Sequence, residues 1–198
     1  MRRMRPVAYD YVEWTWGAVG VVWLIAALAS KRTARRETAG SRLVHIAILT
    51  AALVLLFPSL PFSAHLPMGP LAWRFVPDSP VIAWTGLAVT VVGCGFAIWT
   101  RVLLGANWSG GVTVKQDHEL IRGGPYAIVR HPIYTGFLLG LLGASLALGE
   151  LRGIAGLALA FIGWFTKSRK EEAFMAAQFG AVYAGYQREV KALVPFVL

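Results

Sequence analysis

Long apolar stretches, separated by short basic or proline-rich segments, run through most of this 198-residue chain. Five stretches predict helices, at residues 11–30, 43–57, 81–104, 132–148 and 154–166. The third is the longest, and at about 1.5 Å per residue it reaches about 36 Å, enough to cross a bilayer core of about 30 Å. The last two are short and nearly adjacent in sequence, so they predict a tight helical hairpin.

The segments around the hairpin have a different pattern. After residue 166, apolar side chains recur every three or four positions, which predicts a C-terminal amphipathic helix; they are Phe174 or Met175, Phe179, Val182, Tyr186 and Val190. Residues 105–131 predict a loop with short extended pieces, including a small hairpin that begins at Val112-Thr113-Val114. Gly123-Gly124-Pro125 ends any regular structure there.

Composition supports a membrane protein. Hydrophobic residues make up 57% of the chain and charged residues only 15%, whereas about a quarter of a soluble domain is charged. The sequence therefore predicts one all-α integral membrane domain, residues 1–198, with N-terminal spans in 1–80 and a core in 81–198. The net charge of +9 lies beside the apolar stretches, which indicates anionic lipid rather than nucleic acid. Cys94 is the one cysteine, so no intramolecular disulfide forms.

Lysine and arginine counts differ between the two sides of the predicted membrane. Segment 31–42 carries five, segment 101–130 four and the tail after residue 166 five, against five in all on the other side. Basic residues are enriched in cytoplasmic loops. The pattern thus predicts a multi-pass protein with five spans and a cytoplasmic carboxyl terminus, although Arg2, Arg3 and Arg5 argue against an external amino terminus.

The first candidate for chemistry is Arg130-His131-Pro132, before the fourth apolar stretch. Proline suits the first turn of a helix, so Arg130 and His131 should lie at a helix N-terminus, which attracts anions. The Arg130 guanidinium offers a fork for a carboxylate or phosphate, and Tyr134 follows one turn later. The alternative is that Arg130 reaches lipid phosphate, His131 caps the helix, and Tyr126 and Tyr134 belong to an interfacial aromatic belt.

The second candidate is the acidic pair Glu171-Glu172, which follows the last apolar stretch. The pair either forms solvated ion pairs with Arg169 and Lys170, or turns one glutamate inward. An inward carboxylate can neutralise a cation or accept hydrogen bonds from the vicinal hydroxyls of a ribose.

Small residues mark close approaches between helices. Gly93-Cys94-Gly95 allows either another helix or a flat ligand to come near the third stretch. Gly136 and Gly140 form a GxxxG motif, while Gly156 and Gly163 lie on the next helix, which predicts that these glycines pack the two arms of the hairpin together.

Taken together, these elements resemble the isoprenylcysteine carboxyl methyltransferase family and its bacterial and archaeal relatives. The resemblance covers about residues 80–198, and the first two spans match only in character. Its motifs are Asn107-Trp108-Ser109, Gly124-Pro125-Tyr126, Arg130-His131-Pro132-x-Tyr134, Glu171-Glu172, Phe179-Gly180-x-x-Tyr183-x-x-Tyr186 and Val194-Pro195. The GxG and Glu-Glu elements are also similar to those of phospholipid N-methyltransferases.

The resemblance implies S-adenosylmethionine as cofactor and methyl transfer to a lipophilic carboxylate, most simply an isoprenylcysteine, at the cytoplasmic membrane face. It implies Arg130 and Glu171 as catalytic residues, with Arg130 beside the acceptor carboxylate. The implied cofactor-binding residues are Gly93, Gly95, Tyr126, His131, Tyr134, Glu171 and Glu172. No metal site and no Rossmann motif are predicted.

Other functions stay open at this point. The same pocket would suit phospholipid N-methylation. A sterol-type reductase would use NADPH, with Arg130, Arg122 and Lys115 on its 2′-phosphate. A third interpretation is a non-enzymatic membrane protein whose basic loops bind anionic lipid. Arginines outnumber lysines, which favours a GC-rich prokaryotic host and therefore an inner-membrane location.

Overall fold

The computed structural model describes residues 6–28, 33–36, 38–60, 63, 66–105, 113–115 and 120–197. Within these ranges the chain forms five α-helices and one two-stranded sheet. In chain order they are α1 Val7–Leu28, β1 Thr33–Arg36, α2 Ala39–Leu56, α3 Pro80–Leu104, β2 Thr113–Lys115, α4 Pro132–Leu148 and α5 Leu151–Glu189. The all-helical prediction is confirmed, and among the described residues each of the five apolar stretches coincides with a helix, apart from Phe57, which caps the end of α2.

Length and composition identify two of the described helices, α2 and α3, as long and apolar enough to cross a membrane, and α4 as apolar but shorter. The outer faces of the bundle are apolar as well. Leu24, Val81 and Val102 remain 69–75% exposed. The exposure of so many large apolar side chains is unfavourable in water, whereas it is compatible with contact to lipid.

The closest helix contact joins α3 to α4, which run antiparallel. Small residues face each other across it in two matched rows, Gly86, Thr90, Gly93 and Ala97 on α3 and Gly136, Gly140, Gly143 and Ala147 on α4. A Cβ placed on Gly93 would lie 2.6 Å from the Gly136 carbonyl oxygen and would overlap the Gly140 amide nitrogen. The backbones therefore touch, as small residues in membrane helices allow.

This packing corrects one prediction. Gly136 and Gly140 form a close contact as expected, but their partner is α3 rather than the neighbouring arm α5. On α5, Gly156 lies against Leu56 of α2, and Gly163 lies against Leu49 of the same helix. The GxxxG pattern identified a close-packed face without identifying the helix that covers it.

The short turn between α4 and α5 is held on both sides, so the predicted hairpin is present. Ser145 donates a hydrogen bond to the Gly153 carbonyl across the turn (2.8 Å). The segment before α3 also pairs with the turn: the Phe75 amide donates to the Gly149 carbonyl and the Leu151 amide to the Trp73 carbonyl (3.0 and 2.9 Å).

The end of the chain differs from the prediction of a separate amphipathic helix. The fifth apolar stretch and the tail form one helix, α5, which continues to Glu189 and has a kink at Gly180. Gly180 has φ 51°, a left-handed conformation that glycine adopts without strain. The kink changes the direction of residues 181–189 relative to the first part of α5.

The predicted small hairpin around residue 113 is also corrected. Residues Thr113–Lys115 form β2, which pairs antiparallel with β1 at Thr33–Arg36, far away in sequence. Residues 116–119, the proposed turn, lie outside the described residues. The strand pair joins the segment after α1 to the segment after α3.

Candidate active site

The charged candidates from two distant parts of the sequence meet at one end of the bundle. Pro132 begins α4 as predicted, and His131 occupies the N-cap position, but its side chain makes no capping hydrogen bond. It turns instead toward Glu171 and Glu172 of α5. The cap interpretation of His131 is therefore wrong.

Arg130 and Glu172 form a buried ion pair. The Arg130 Nε and a terminal nitrogen both donate to Glu172 Oε1, at 2.9 and 2.5 Å. Their side chains are only 7% and 4% exposed. Gln187 and Arg169 donate to the other carboxylate oxygen, each at 3.3 Å. Glu172 is thus saturated by protein donors, as a buried carboxylate requires.

His131 lies between the two glutamates. Its Nε2 is 3.3 Å from Glu172 Oε1 and its Nδ1 is 3.4 Å from Glu171 Oε2. A neutral imidazole can donate from only one nitrogen, whereas an imidazolium donates from both. Because both nitrogens face a carboxylate, the geometry favours the protonated ring.

Tyr134 connects Glu171 to a row of aromatic rings. Its hydroxyl donates to Glu171 Oε1 at 2.7 Å. The Tyr134 ring is nearly parallel to the His131 ring and to the Trp164 ring, with interplanar angles of 10° and 12°. The Lys167 ammonium lies 5.6 Å from the centre of the Tyr134 ring, within the range of a cation–π attraction.

The segment after α5 closes over the start of α4. We call residues 190–193 the C-terminal strap. The Arg130 and His131 amides donate to the carbonyls of Lys191 and Ala192, at 2.8 and 3.0 Å. A terminal nitrogen of Arg130 donates to the carbonyls of Gln187 and Val190. The strap therefore pairs with the two backbone amides that immediately precede the first turn of α4.

Tyr126 lies on a short turn, Gly124–Ala127, that is fixed to the end of α5. The Tyr186 hydroxyl donates to the Tyr126 carbonyl at 2.5 Å. Arg122 lies 5.2 Å from the centre of the Tyr186 ring and forms an exposed ion pair with Glu189 at 2.5 Å. Both contacts hold the loop before α4 against the helix that carries the acidic pair.

The pKa values of the cluster reflect the interactions among its charged groups. Burial by itself would lower the pKa of His131, but hydrogen bonds and negative charge from Glu171 and Glu172 outweigh it and raise the pKa. Burial opposes ionisation of Glu172, yet His131 and Arg130 lower its pKa to about 2. His131, Lys167 and Tyr134 likewise lower the pKa of Glu171. Burial and the Glu171 charge raise the pKa of Tyr126.

Arg130 does not have the contacts that were expected for an acceptor-binding residue. Its guanidinium donates to Glu172 and to two backbone carbonyls, and its side chain is buried. No donor is directed toward a second carboxylate. Among the described residues Arg130 therefore holds Glu172 and the strap, and its place beside an acceptor carboxylate stays a prediction. Arg122, suggested for a 2′-phosphate, is likewise paired with a glutamate; the side chain of Lys115 lies outside the described residues.

Gly93 and Gly95, the other expected cofactor contacts, lie elsewhere. Gly93 is enclosed by the backbone of α4, and a Cβ on Gly95 would meet nothing within 4 Å. The helix-packing alternative therefore explains Gly93, and no contact brings either glycine to the charged cluster. The close approach that Gly93 allows is thus used by another helix, whereas a cofactor contact at Gly95 stays a prediction.

Sequence reasoning missed several contacts at this site. The sequence showed Tyr186 only as part of a motif and Gln187 only as a polar residue. Their contacts were not predictable because they depend on the kink at Gly180. Arg101 gave no signal at all. It is 3% exposed and donates to the carbonyls of Ala26 and Gly105, at 2.7 and 2.8 Å, which ties α1 to the end of α3.

An apolar cavity of about 480 Å³ lies between α1, α2, α4 and α5. Trp23, Phe137 and Trp164 line the end nearest to Tyr134, and Trp16 and Phe57 line the middle and far part. Rings in contact connect the cavity to the charged cluster: Phe137 to Trp164 at 5.4 Å, and Trp164 to Tyr134 at 6.1 Å. A lipophilic group and a polar ligand can therefore be held on adjacent sides of Tyr134.

The fold is similar to that of a solved intramembrane methyltransferase. A solved structure described as the eukaryotic intramembrane Ras methyltransferase ICMT (isoprenylcysteine carboxyl methyltransferase) aligns over 81% of this chain and 54% of its own, with a TM-score of 0.52 and 22% identity. At this identity the match establishes a shared architecture.

The family model described as phospholipid methyltransferase matches residues 81–182, just over half of the chain, and the protein belongs to that family. Similar curated proteins include protein-S-isoprenylcysteine O-methyltransferase of Schizosaccharomyces pombe, 34% identical over 48% of this chain and 42% of the relative. Another is cobalt-zinc-cadmium resistance protein CzcN of Cupriavidus metallidurans, 32% identical over 67% of this chain and 57% of the relative. The chain spans about half the length of these relatives.

Proposed function

We propose that this protein transfers a methyl group from S-adenosylmethionine to the carboxylate of an isoprenylcysteine-like amphiphile at the cytoplasmic membrane face. One observation carries the proposal: His131 bridges the buried Glu172 and the partly exposed Glu171 beside an apolar cavity. Membership of a methyltransferase family and the names of the relatives support it. A polar donor and a lipophilic acceptor need adjoining polar and apolar compartments, and Tyr134 separates two such compartments.

The residues of the cluster fit a cationic donor that carries ribose hydroxyls. Glu171 is 23% exposed, against 4% for Glu172, so Glu171 is the carboxylate that a ligand can reach. Each Glu171 oxygen faces one protein donor, Tyr134 or His131, and has a second lone pair for a ligand. The Tyr134 ring adds a flat, electron-rich surface that attracts a cation.

When bound, S-adenosylmethionine supplies a sulfonium methyl group, whose transfer to a carboxylate forms a C–O bond as the C–S bond breaks with its electron pair leaving on sulfur. The reaction needs no proton transfer, so the protein's main contributions are alignment and exclusion of water, which can supply about 7–11 kcal/mol. Glu171 would orient the donor, while Arg130 and His131 keep both glutamates ionised and fixed.

The apolar cavity supports a lipophilic acceptor. Its lining is almost entirely aliphatic and aromatic, and its volume of about 480 Å³ lies within the usual range of small-molecule sites, roughly 300–1,000 Å³. An isoprenoid tail in the cavity would place its polar head near Tyr134, on the side of the Glu171 carboxylate.

A second candidate is N-methylation of a phospholipid amine, which the description of the family model favours. Both candidates share the donor site and differ in the acceptor atom. We also propose that α1 to α5 supply five spans with the carboxyl terminus in the cytoplasm of a prokaryotic host, because the basic segments flank the helix ends on the side of the cluster.

The test uses purified protein in mild detergent with S-adenosylmethionine labelled in its methyl group and N-acetyl-S-farnesylcysteine or phosphatidylethanolamine as acceptor. We expect label to enter the prenylcysteine and to be released as volatile methanol by alkali, as a methyl ester is. Label that resists alkali in the lipid product would establish N-methylation instead.

Calorimetry with S-adenosylhomocysteine tests the donor site separately. We expect Glu171→Gln to weaken binding by roughly tenfold, the loss of about one charge-assisted hydrogen bond. Glu189→Gln, in the exposed pair with Arg122, is the matched control and should bind normally. Absence of binding to the unaltered protein would falsify the proposal.

A further inference from the structure

The apolar cavity has a polar boundary at the end far from Tyr134. Glu13 of α1 and Ser59, which follows α2, both line it there. The Ser59 hydroxyl donates to Glu13 Oε2 at 2.6 Å and the Ser59 amide donates to Glu13 Oε1 at 3.3 Å. These bonds join the start of α1 to the end of α2 and terminate the apolar lining.

The length of the cavity follows from the positions on α1 that line it. Glu13 and Trp23 are the first and last residues of α1 that line it, and ten residues at about 1.5 Å each separate them by about 15 Å along the helix. An apolar chain that enters beside Trp164 and grows toward Ser59 would reach a carboxylate. Placing further methylene groups against a charged group is unfavourable, since the charge loses hydration without gaining a partner.

We propose that the Glu13–Ser59 pair sets the maximum length of the acceptor's tail. The inference rests on the proposed function and adds a specificity determinant to it. Chains that end before Glu13 bury their full apolar surface, whereas longer chains must fold back or displace the pair. Glu13 and Ser59 are positioning residues here and take no part in methyl transfer.

Two glycines of α1 allow the cavity to be blocked at two different positions along its length. Gly17 and Gly20 line the cavity, and a Cβ on either would meet nothing within 4 Å. A leucine at either position projects into the cavity, and leucine is a better helix former than glycine, so both variants should fold. Gly20 lies one turn closer to Trp23 than Gly17 does.

The experiment compares kcat/KM for N-acetylcysteines that carry S-geranyl, S-farnesyl or S-geranylgeranyl tails. We expect Gly20→Leu to lower the geranylgeranyl-to-geranyl ratio by roughly tenfold or more, as expected when a pocket rejects added methylenes, and Gly17→Leu to lower it less. Glu13→Ala, which removes the carboxylate, should raise the ratio. Val21→Leu, on the exposed side of α1, should leave it unchanged.

A binding measurement separates this inference from the proposed function. Trp16, Trp23 and Trp164 line the cavity, so a prenylcysteine brominated at its tail should quench their fluorescence, and Gly20→Leu should reduce the quenching. Normal methylation with equal ratios in all variants would overturn the length limit and leave the function standing. Length-dependent quenching without methylation of any prenylcysteine would overturn the function and support the length limit.

Discussion

The α3–α4 contact and the charged cluster both fix α4, and they do so by opposite means. Across the contact, small residues let two backbones touch, and Thr90 donates its hydroxyl to the Gly140 carbonyl at 3.1 Å. At the cluster, Arg130 and Glu172 are buried together with His131 between two carboxylates. The first region depends on the absence of side chains and the second on charge balance.

The two regions should therefore respond differently to substitution. Added volume is harmful at the contact, because the neighbouring atoms are backbone and cannot rotate away. Removal of charge is harmful at the cluster, because the remaining partner stays buried without compensation. A change of volume at the cluster matters less, since Glu171 and Lys167 have some exposure there.

The largest effect is expected from Glu172→Ala. Arg130 is 7% exposed, and loss of its partner should destabilise the protein by about 3–5 kcal/mol, the usual result of breaking a buried ion pair from one side. Unfolding in mild detergent, followed by circular dichroism, measures the difference. The double variant Arg130→Met with Glu172→Leu should recover much of this stability, because no charge is then left unpaired.

The exposed pair of Arg122 and Glu189 is the matched control. Its separation is also 2.5 Å, but the side chains are 42% and 64% exposed. Glu189→Ala should therefore cost less than about 1 kcal/mol. Equal losses for Glu172→Ala and Glu189→Ala would mean that burial does not distinguish the two pairs.

The next effect is expected at the helix contact. In Gly93→Ala the new methyl group would overlap the backbone of α4, and separation of the helices should cost about 1–3 kcal/mol. Gly95→Ala, two residues further along α3, has open space and should gain up to about 1 kcal/mol. Thermal unfolding of both variants tests the pair. A loss of donor binding in Gly95→Ala without a loss of stability would support the expected cofactor role of that glycine.

The same contrast explains what the sequence predicted. The helices and the start of α4 at Pro132 follow from local signals, namely apolar runs and proline at a first turn. The close packing of Gly136 and Gly140 was also visible, because GxxxG marks a face. Its partner was not, since every neighbouring helix offers glycines and the choice depends on the global arrangement.

The charged cluster was predicted only in part from the sequence. Arg130, His131, Tyr134 and Glu171-Glu172 were recognised as a set through resemblance, and the structure brings these residues together. The saturation of Arg130 was not predictable, because two of its acceptors are backbone carbonyls at Gln187 and Val190. These carbonyls reach Arg130 only after the chain turns at Gly180, a residue that the helical pattern did not single out.

The smallest effect is expected from His131, and the pH dependence of stability tests the charge balance most directly. The pKa of Glu172 falls from its ordinary 4.5 to about 2, so its contribution to stability is complete above about pH 4.5 and is lost as the pH falls toward 2. The pKa of His131 is raised above 6.5, so its contribution is complete below that pH and declines as the pH rises. Stability should be greatest between these limits.

His131→Asn should remove the decline on the alkaline side and keep the decline on the acid side. In the unaltered protein the alkaline decline in stability is modest, because a neutral His131 still donates a hydrogen bond to one of the two glutamates. Thermal unfolding midpoints, measured between about pH 2 and pH 9, give both limbs of the curve. His45→Asn on α2 is the control and should keep the alkaline decline. If the alkaline decline persists in His131→Asn, it comes from another titrating group, and the imidazole between the two carboxylates is then neutral.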